Sequence, residues 1–189
     1  IPSVILVIGV NGVGKTTTSI NLSVSLAMRN KKILIVDFDP QGNCSSGLGI
    51  EKDKNTIYEA LVGAVDIHEC IVPSKIENCS VIPGHINLSG ATVELVKVEN
   101  GTFYLKEQLT KIKDEYDYIF IDCPAGIERG FFNAINNANE AIVVASLDIS
   151  SIRDADKVIG ILNQRGINEV GLVINKYNPE KQSSSSLTI

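Results

Sequence analysis

Residues 9–16 read Gly9-Val10-Asn11-Gly12-Val13-Gly14-Lys15-Thr16, which fits G-x-x-x-x-G-K-[ST] without a mismatch. The context on both sides agrees with the motif. Val4 to Gly9 is an unbroken apolar run, as expected of a strand buried on both faces. Lys15 to Arg29 reads as a helix. In such a strand–loop–helix the glycines let the backbone curl until successive N–H groups point inward at an anion. The helix N-terminus adds partial positive charge. The spacing therefore predicts a phosphate cradle built from Asn11, Gly12, Val13 and Gly14. Lys15 is expected to reach the β- and γ-phosphates of a nucleotide, Thr16 to ligate Mg²⁺, and Thr17 to meet the α-phosphate.

Moving outward, four more short, β-branched apolar runs are predicted strands: 33–36, 118–121, 141–145 and 171–174. Predicted helices fall at 56–62, 88–96, 102–113, 130–137 and 151–165, the last with Ser150 as its N-cap. This alternation predicts a three-layer α/β fold with a mostly parallel sheet. The nucleotide-binding domain is expected to span residues 1–180, and the low-complexity, Ser-rich stretch 181–189 reads as a flexible tail.

Two further strand ends carry acids. Ile119-Phe120-Ile121 runs into Asp122, which places a carboxylate at the carboxyl edge of the sheet, where ligands bind in open α/β folds. Asp122 is the candidate to hold Mg²⁺ through water, and Gly126 in the turn that follows is a candidate γ-phosphate sensor. The other end reads Val36-Asp37-Phe38-Asp39-Pro40-Gln41-Gly42-Asn43. Alternation puts Asp37 and Asp39 on one side of an extended segment. One carboxylate can then serve the metal and the other can orient or deprotonate an attacking water.

Composition narrows the function classes. Seventeen Lys and Arg stand against 22 Asp and Glu, a net charge of −5, which argues against a broad nucleic-acid face. The 44% hydrophobic and 21% charged shares are those of a globular chain of 189 residues. No apolar run approaches a bilayer span, and no secretory signal is visible. Cys44, Cys70, Cys79 and Cys123 form no C-x-x-C pair and are expected to be packing thiols of a cytoplasmic protein, without zinc. The chain starts at Ile1, and its only Met is Met28, so it reads as a processed or engineered segment.

The segment Asp37-Phe38-Asp39-Pro40-Gln41-Gly42-Asn43 with Ser46-Gly47-Leu48-Gly49 resembles the ParA/Soj partition ATPases. Thr56-Ile57-Tyr58-Glu59-Ala60-Leu61 and the stretch from Leu88 to Leu95 are similar to them too. Residues 122–163 resemble MinD, through Pro124-Ala125-Gly126-Ile127-Glu128 and Ser150-Ser151-Ile152-Arg153-Asp154-Ala155-Asp156. The resemblance covers about residues 19–180. It implies a Mg-ATP switch in which Asp39 orients water, while Lys15, Thr16, Asp37 and Asp122 form the phosphate and Mg²⁺ group. It also implies a nucleotide-dependent homodimer.

The first eighteen residues depart from that pattern. These families carry K-G-G-x-G-K-[ST], whose first lysine reaches a partner's nucleotide; here that position is Val10 and the next is Asn11. Val4 to Thr18 is instead similar to the GTPases of the signal recognition particle. A cation of that kind is worth a factor of roughly 10³ or more in rate, so slow or absent hydrolysis is expected. Asn175-Lys176-Tyr177-Asn178 lacks the Asp of N-K-x-D, and a single amide carbonyl does not replace its bidentate contact to guanine. The same residues resemble a MinD segment in which Asn175 would read adenine, which favours ATP. Family members continue well past the equivalent of Asn175, into their membrane helix or DNA-binding residues. Relative to them the chain reads as C-terminally truncated, and neither membrane cycling nor DNA carriage is expected of it. Three readings stay open here: a ParA/MinD-like ATP-binding switch, a signal-recognition-type GTPase, and an engineered chimera that binds nucleotide without a cellular role.

Overall fold

The structure, a computed structural model, describes residues 2–51, 55–90, 104–125 and 129–178. Seven strands form one sheet in the order β3-β4-β2-β5-β1-β6-β7. They are β1 (Ser3–Gly9), β2 (Ile33–Asp37), β3 (Val72–Pro73), β4 (Cys79–Ile82), β5 (Tyr118–Asp122), β6 (Glu140–Ser146) and β7 (Glu169–Asn175). All pairings are parallel except β3 with β4. The described helices are α1 (Lys15–Ala27), α2 (Asn43–Gly47), α3 (Ile57–Leu61), α4 (Tyr104–Ile112), α5 (Arg129–Ile135) and α6 (Ile149–Gln164).

Alternation along the strands divides the core in two. Leu6, Ile8, Leu34, Val36, Ile119 and Ile121 face one layer, with Leu105, Leu109, Phe131, Val158 and Leu162 packed among them. Ile5, Val7, Ile33, Ile35 and Phe120 face the other, with Val13, Ala27 and Cys44. A strand covered on both faces must be apolar at every position, as the uninterrupted sequence of β1 shows. The expected three-layer α/β architecture is therefore present. All four cysteines are buried and free.

Four details refine the sequence reading. The helix after β6 begins at Ile149, and its N-cap is Asp148, not Ser150. Asp148 has extended backbone, and its Oδ1 accepts the Ser151 N–H at 2.9 Å. Ser150, one residue inside the helix, is past the position where a side chain caps. α2, β3 and β4 are present although no sequence pattern predicts them. The helices expected at 88–96 and 102–113 reach partly into 91–103, which lie outside the described residues, as does the tail 181–189. Among the described residues no helix is long and apolar enough to cross a membrane.

Candidate nucleotide site

The site collects at the carboxyl edge of β1, β2, β5 and β7. Parallel register fixes its spacing: Val7 and Asp37 both align with Asp122 on β5. The loop after β1 turns into α1 through Gly14, which is left-handed with φ 94° and offers no side-chain cap. A helix start without a cap leaves its first N–H groups free of intrahelical partners. Here those groups belong to Lys15, Thr16 and Thr17, next to the loop, at the end of a helix that carries partial positive charge. Gly14 is required on a second count: a Cβ there would stand 2.3 Å from Asn175 Nδ2.

Each predicted residue has a defined place. Asn11 and Gly12 are exposed at the loop tip, whereas Val13 turns its side chain into the core. Lys15 is buried and its Nζ donates to the Val10 carbonyl at 3.3 Å. Burial pushes the Lys15 amine below its ordinary range, against the pull of Asp122 and Asp39. The Thr16 hydroxyl donates to Asp122 Oδ2 at 2.9 Å. Thr17 is exposed on the first helical turn. Asn175 donates its amide to the Val13 carbonyl at 2.8 Å, which ties the end of β7 to the loop.

Asp122 is fully buried, and burial pushes its carboxyl up to about 6. Hydrogen bonds from Ser19 and Thr16 work in the opposite direction, as does the Lys15 charge. Asp37 is also fully buried and raised by burial. Its Oδ2 accepts from the Ser45 backbone at 2.8 Å and the Ser45 hydroxyl at 2.6 Å. Its Oδ1 has no hydrogen-bond partner among the described residues. Asp39 is half-buried in the turn after β2, where its Oδ1 accepts the Gln41 N–H at 2.9 Å. Gly126 lies outside the described residues.

Sequence reasoning missed Ser19, Ser45 and Gly84. Ser19 was within reach of it, because it follows Thr16 by three residues on one helical face. Its hydroxyl meets the second oxygen of Asp122 at 2.8 Å. A cleft of about 710 Å³ opens beside the loop, between Val10–Val13, the N-terminus of α6 and Lys176.

The residues fit a divalent cation. Magnesium binds through few protein groups plus phosphate and water, and an orphaned buried carboxylate oxygen beside a hydroxyl and a second carboxylate is a suitable donor set. Among the described residues no three His, Cys, Asp or Glu side chains come together as a metal site of their own.

Fold and loop together are those of the P-loop NTPase fold. One family profile, described as AAA domain (AAA_31), matches residues 4–169. The chromosome-partitioning ATPase Soj of Treponema pallidum is 47% identical over 132 residues, covering 70% of this chain and 52% of the relative. The cell division ATPase MinD of Pyrococcus furiosus superposes with a TM-score of 0.81 at 30% identity, over 97% of this chain and 79% of that one. Cobyrinic acid a,c-diamide synthase of Mycobacterium smegmatis, solved with bound ADP and magnesium, has a TM-score of 0.82 at 26% identity, over 91% and 72%. The chain belongs to the ParA/MinD family of P-loop ATPases. It spans about half the length of the Soj relative it matches.

Proposed function

We propose that the chain is a Mg-ATP-binding switch domain with slow or absent hydrolysis. The observation that carries this reading is the convergence of Lys15, Thr16, Asp37 and Asp122 on one sheet edge, beneath an uncapped helix start. The loop N–H groups and Lys15 would hold the phosphates. Thr16, with the carboxylates of Asp37 and Asp122, would hold Mg²⁺, which when bound neutralises phosphate charge. Asp39, placed where the chain leaves β2, would orient the attacking water. Val10 supplies no cation at the loop, so little beyond Lys15 would meet charge that develops on the phosphoryl group. For the same reason a nucleotide-dependent homodimer would be weak. The amide of Asn175 is committed to Val13, so contact with adenine would fall to its carbonyl oxygen. Four buried thiols support a reducing, cytoplasmic setting.

The test is a melting and calorimetric titration with Mg-ATP, Mg-GTP and no ligand, with Lys15→Ala as control. Binding to the folded state alone raises the melting temperature by mass action. Mg-ATP is expected to stabilise the wild type and not the variant. A GTP affinity well above that for ATP would overturn the base assignment, and fast Lys15-dependent turnover would overturn the slow-hydrolysis assignment.

A further inference from the structure

A buried relay lies behind Asp37, outside the motifs that carry the phosphate site. Ser45 sits on α2, a five-residue helix whose sequence Asn-Cys-Ser-Ser-Gly has little intrinsic reason to be helical. Its side chain is buried. Both of its donors go to the same atom, Asp37 Oδ2, at 2.6 and 2.8 Å. The Ser45 hydroxyl has one proton, and that proton is used on Asp37. Its oxygen accepts in turn from the Gly84 N–H at 3.3 Å.

Gly84 follows β4 and is wedged against the end of β2. A Cβ at Gly84 would lie 2.7 Å from the carbonyl oxygens of both Asp37 and Asp39, and 3.2 Å from Asp37 Cγ. Two backbone contacts that close exclude any side chain at this position. The relay therefore runs from the β4 end through Ser45 to one oxygen of Asp37, and the other oxygen has no hydrogen-bond partner among the described residues. A carboxylate held by one oxygen has lost its freedom to rotate, and the loose oxygen has a fixed direction. Leaving a fully buried carboxylate oxygen unpaired costs free energy unless a ligand satisfies it.

We propose that Ser45 is a positioning residue for the divalent cation: by fixing Asp37 Oδ2 it presents Asp37 Oδ1 to Mg²⁺, with Gly84 holding Ser45 in place. This rests on the reading of the site as a Mg-nucleotide site. Residues that orient a metal ligand in this way typically contribute 10- to 100-fold in metal affinity.

The test measures binding and not turnover. Fluorescent ADP is titrated onto the full chain at fixed Mg²⁺ concentrations and again in EDTA, for the wild type, Ser45→Ala, Ser45→Thr and Ser46→Ala. Ser46 is the control, because its exposed hydroxyl goes to the Gly42 carbonyl and not to Asp37. In Ser45→Ala the Mg²⁺ concentration giving half the effect is expected to rise about tenfold or more. ADP affinity in EDTA should stay within about twofold, since the loop contacts are intact. Ser45→Thr keeps the hydroxyl and should restore Mg²⁺ dependence, and it also covers the case in which Ser45→Ala folds poorly. If wild type shows Mg²⁺-dependent ADP binding and Ser45→Ala matches it, the positioning role is wrong and the site reading stands. If wild type shows no Mg²⁺-dependent binding, the site reading falls and the positioning role falls with it.

Discussion

Asn175 has two possible duties at the candidate site, and one substitution separates them. Its amide donates to the Val13 carbonyl at 2.8 Å, and Val13 itself is buried. Asn175→Ala deletes that donor and leaves the carbonyl short of a partner. The loss of a hydrogen bond costs about 0.5–1.5 kcal/mol, and an unsatisfied buried acceptor about 1–3. Asn175 is only half-buried, so water reaches the gap and the lower part of that range applies. The expected loss is about 1–2 kcal/mol of stability without nucleotide, or a fall of about 3–6 °C in melting temperature for a domain of this size. Because the bond holds the phosphate loop and not the base, ATP and GTP should weaken by the same factor. The assay is thermal and urea unfolding of the free protein, followed by calorimetry with both nucleotides. Unchanged stability combined with a loss confined to ATP would refute the bracing role and leave Asn175 as a base reader. A cycle with Gly14→Ala sharpens the test. In the wild type the new Cβ would stand 2.3 Å from Asn175 Nδ2, so Gly14→Ala should cost less in the Asn175→Ala background. It should still cost something there, because φ at Gly14 is 94°.

Leu6→Ala, at a fully buried position on the central strand, should cost about 2–5 kcal/mol in urea unfolding with an unchanged m-value. Thr56→Ala removes a helix cap whose hydroxyl accepts the Tyr58 N–H at 3.2 Å while Glu59 returns to the Thr56 N–H at 2.9 Å; about 1 kcal/mol should be lost. His68 lies 2.5 Å from Asp66 and 3.3 Å from Glu115, with Lys111 also near Asp66. The Asp66 hydrogen bond, and then its charge, raise His68 above its ordinary range. Stability from this contact is therefore complete below about pH 6.5 and is lost as pH rises through the higher folded value. An NMR titration should place His68 above 6.5, with Asp66→Asn lowering it more than Glu115→Gln does; a His68 value at or below 6.5 would contradict the contact.

The elements that were legible are those in which one local signal suffices. Between their ends β1, β2, β5 and β6 are contiguous apolar runs, because burial on both faces leaves no polar position there. β4 reads Cys-Ser-Val-Ile, with a half-buried Ser80 where the run would need an apolar residue, and β3 is two residues long. Neither carries a pattern long enough to count. α2 is invisible for a different reason: its residues do not favour a helix, and its buried Ser45 is anchored to Asp37 eight positions away. The Asp148 cap was missed because Asp148 and Ser150 are both good capping residues, and only backbone conformation chooses between them. At the site, Lys15, Thr16 and the strand-end acids could be placed because the phosphate loop and the strand ends fix their positions. Ser19 and Ser45 act through tertiary hydrogen bonds to those acids; Ser19 shares a helical face with Thr16, three residues earlier, whereas no spacing in the sequence marks Ser45.

The placement of charge at this edge of the sheet carries a desolvation cost. Asp37 and Asp122 are fully buried and side by side in register, and burial drives both carboxyls upward. Lys15 is driven the other way, although two acids lie near enough to oppose the shift. Four hydrogen bonds, from Thr16, Ser19 and Ser45, satisfy three of the four carboxylate oxygens, and Asp37 Oδ1 is unmatched among the described residues. Nothing in folding alone requires two acids here; apolar residues at the same strand ends would pack without the desolvation cost. Such local disagreement with packing is expected at functional positions. The resulting electrostatic penalty is one that a cation and a polyphosphate would relieve together. Under the proposed function, binding of the pair should stabilise the fold more than the sum of either alone, because the metal would satisfy the acids and the phosphates would satisfy Lys15 and the helix start. Melting shifts with Mg²⁺, with ADP and with both would show this as a positive coupling, and strictly additive shifts would count against it.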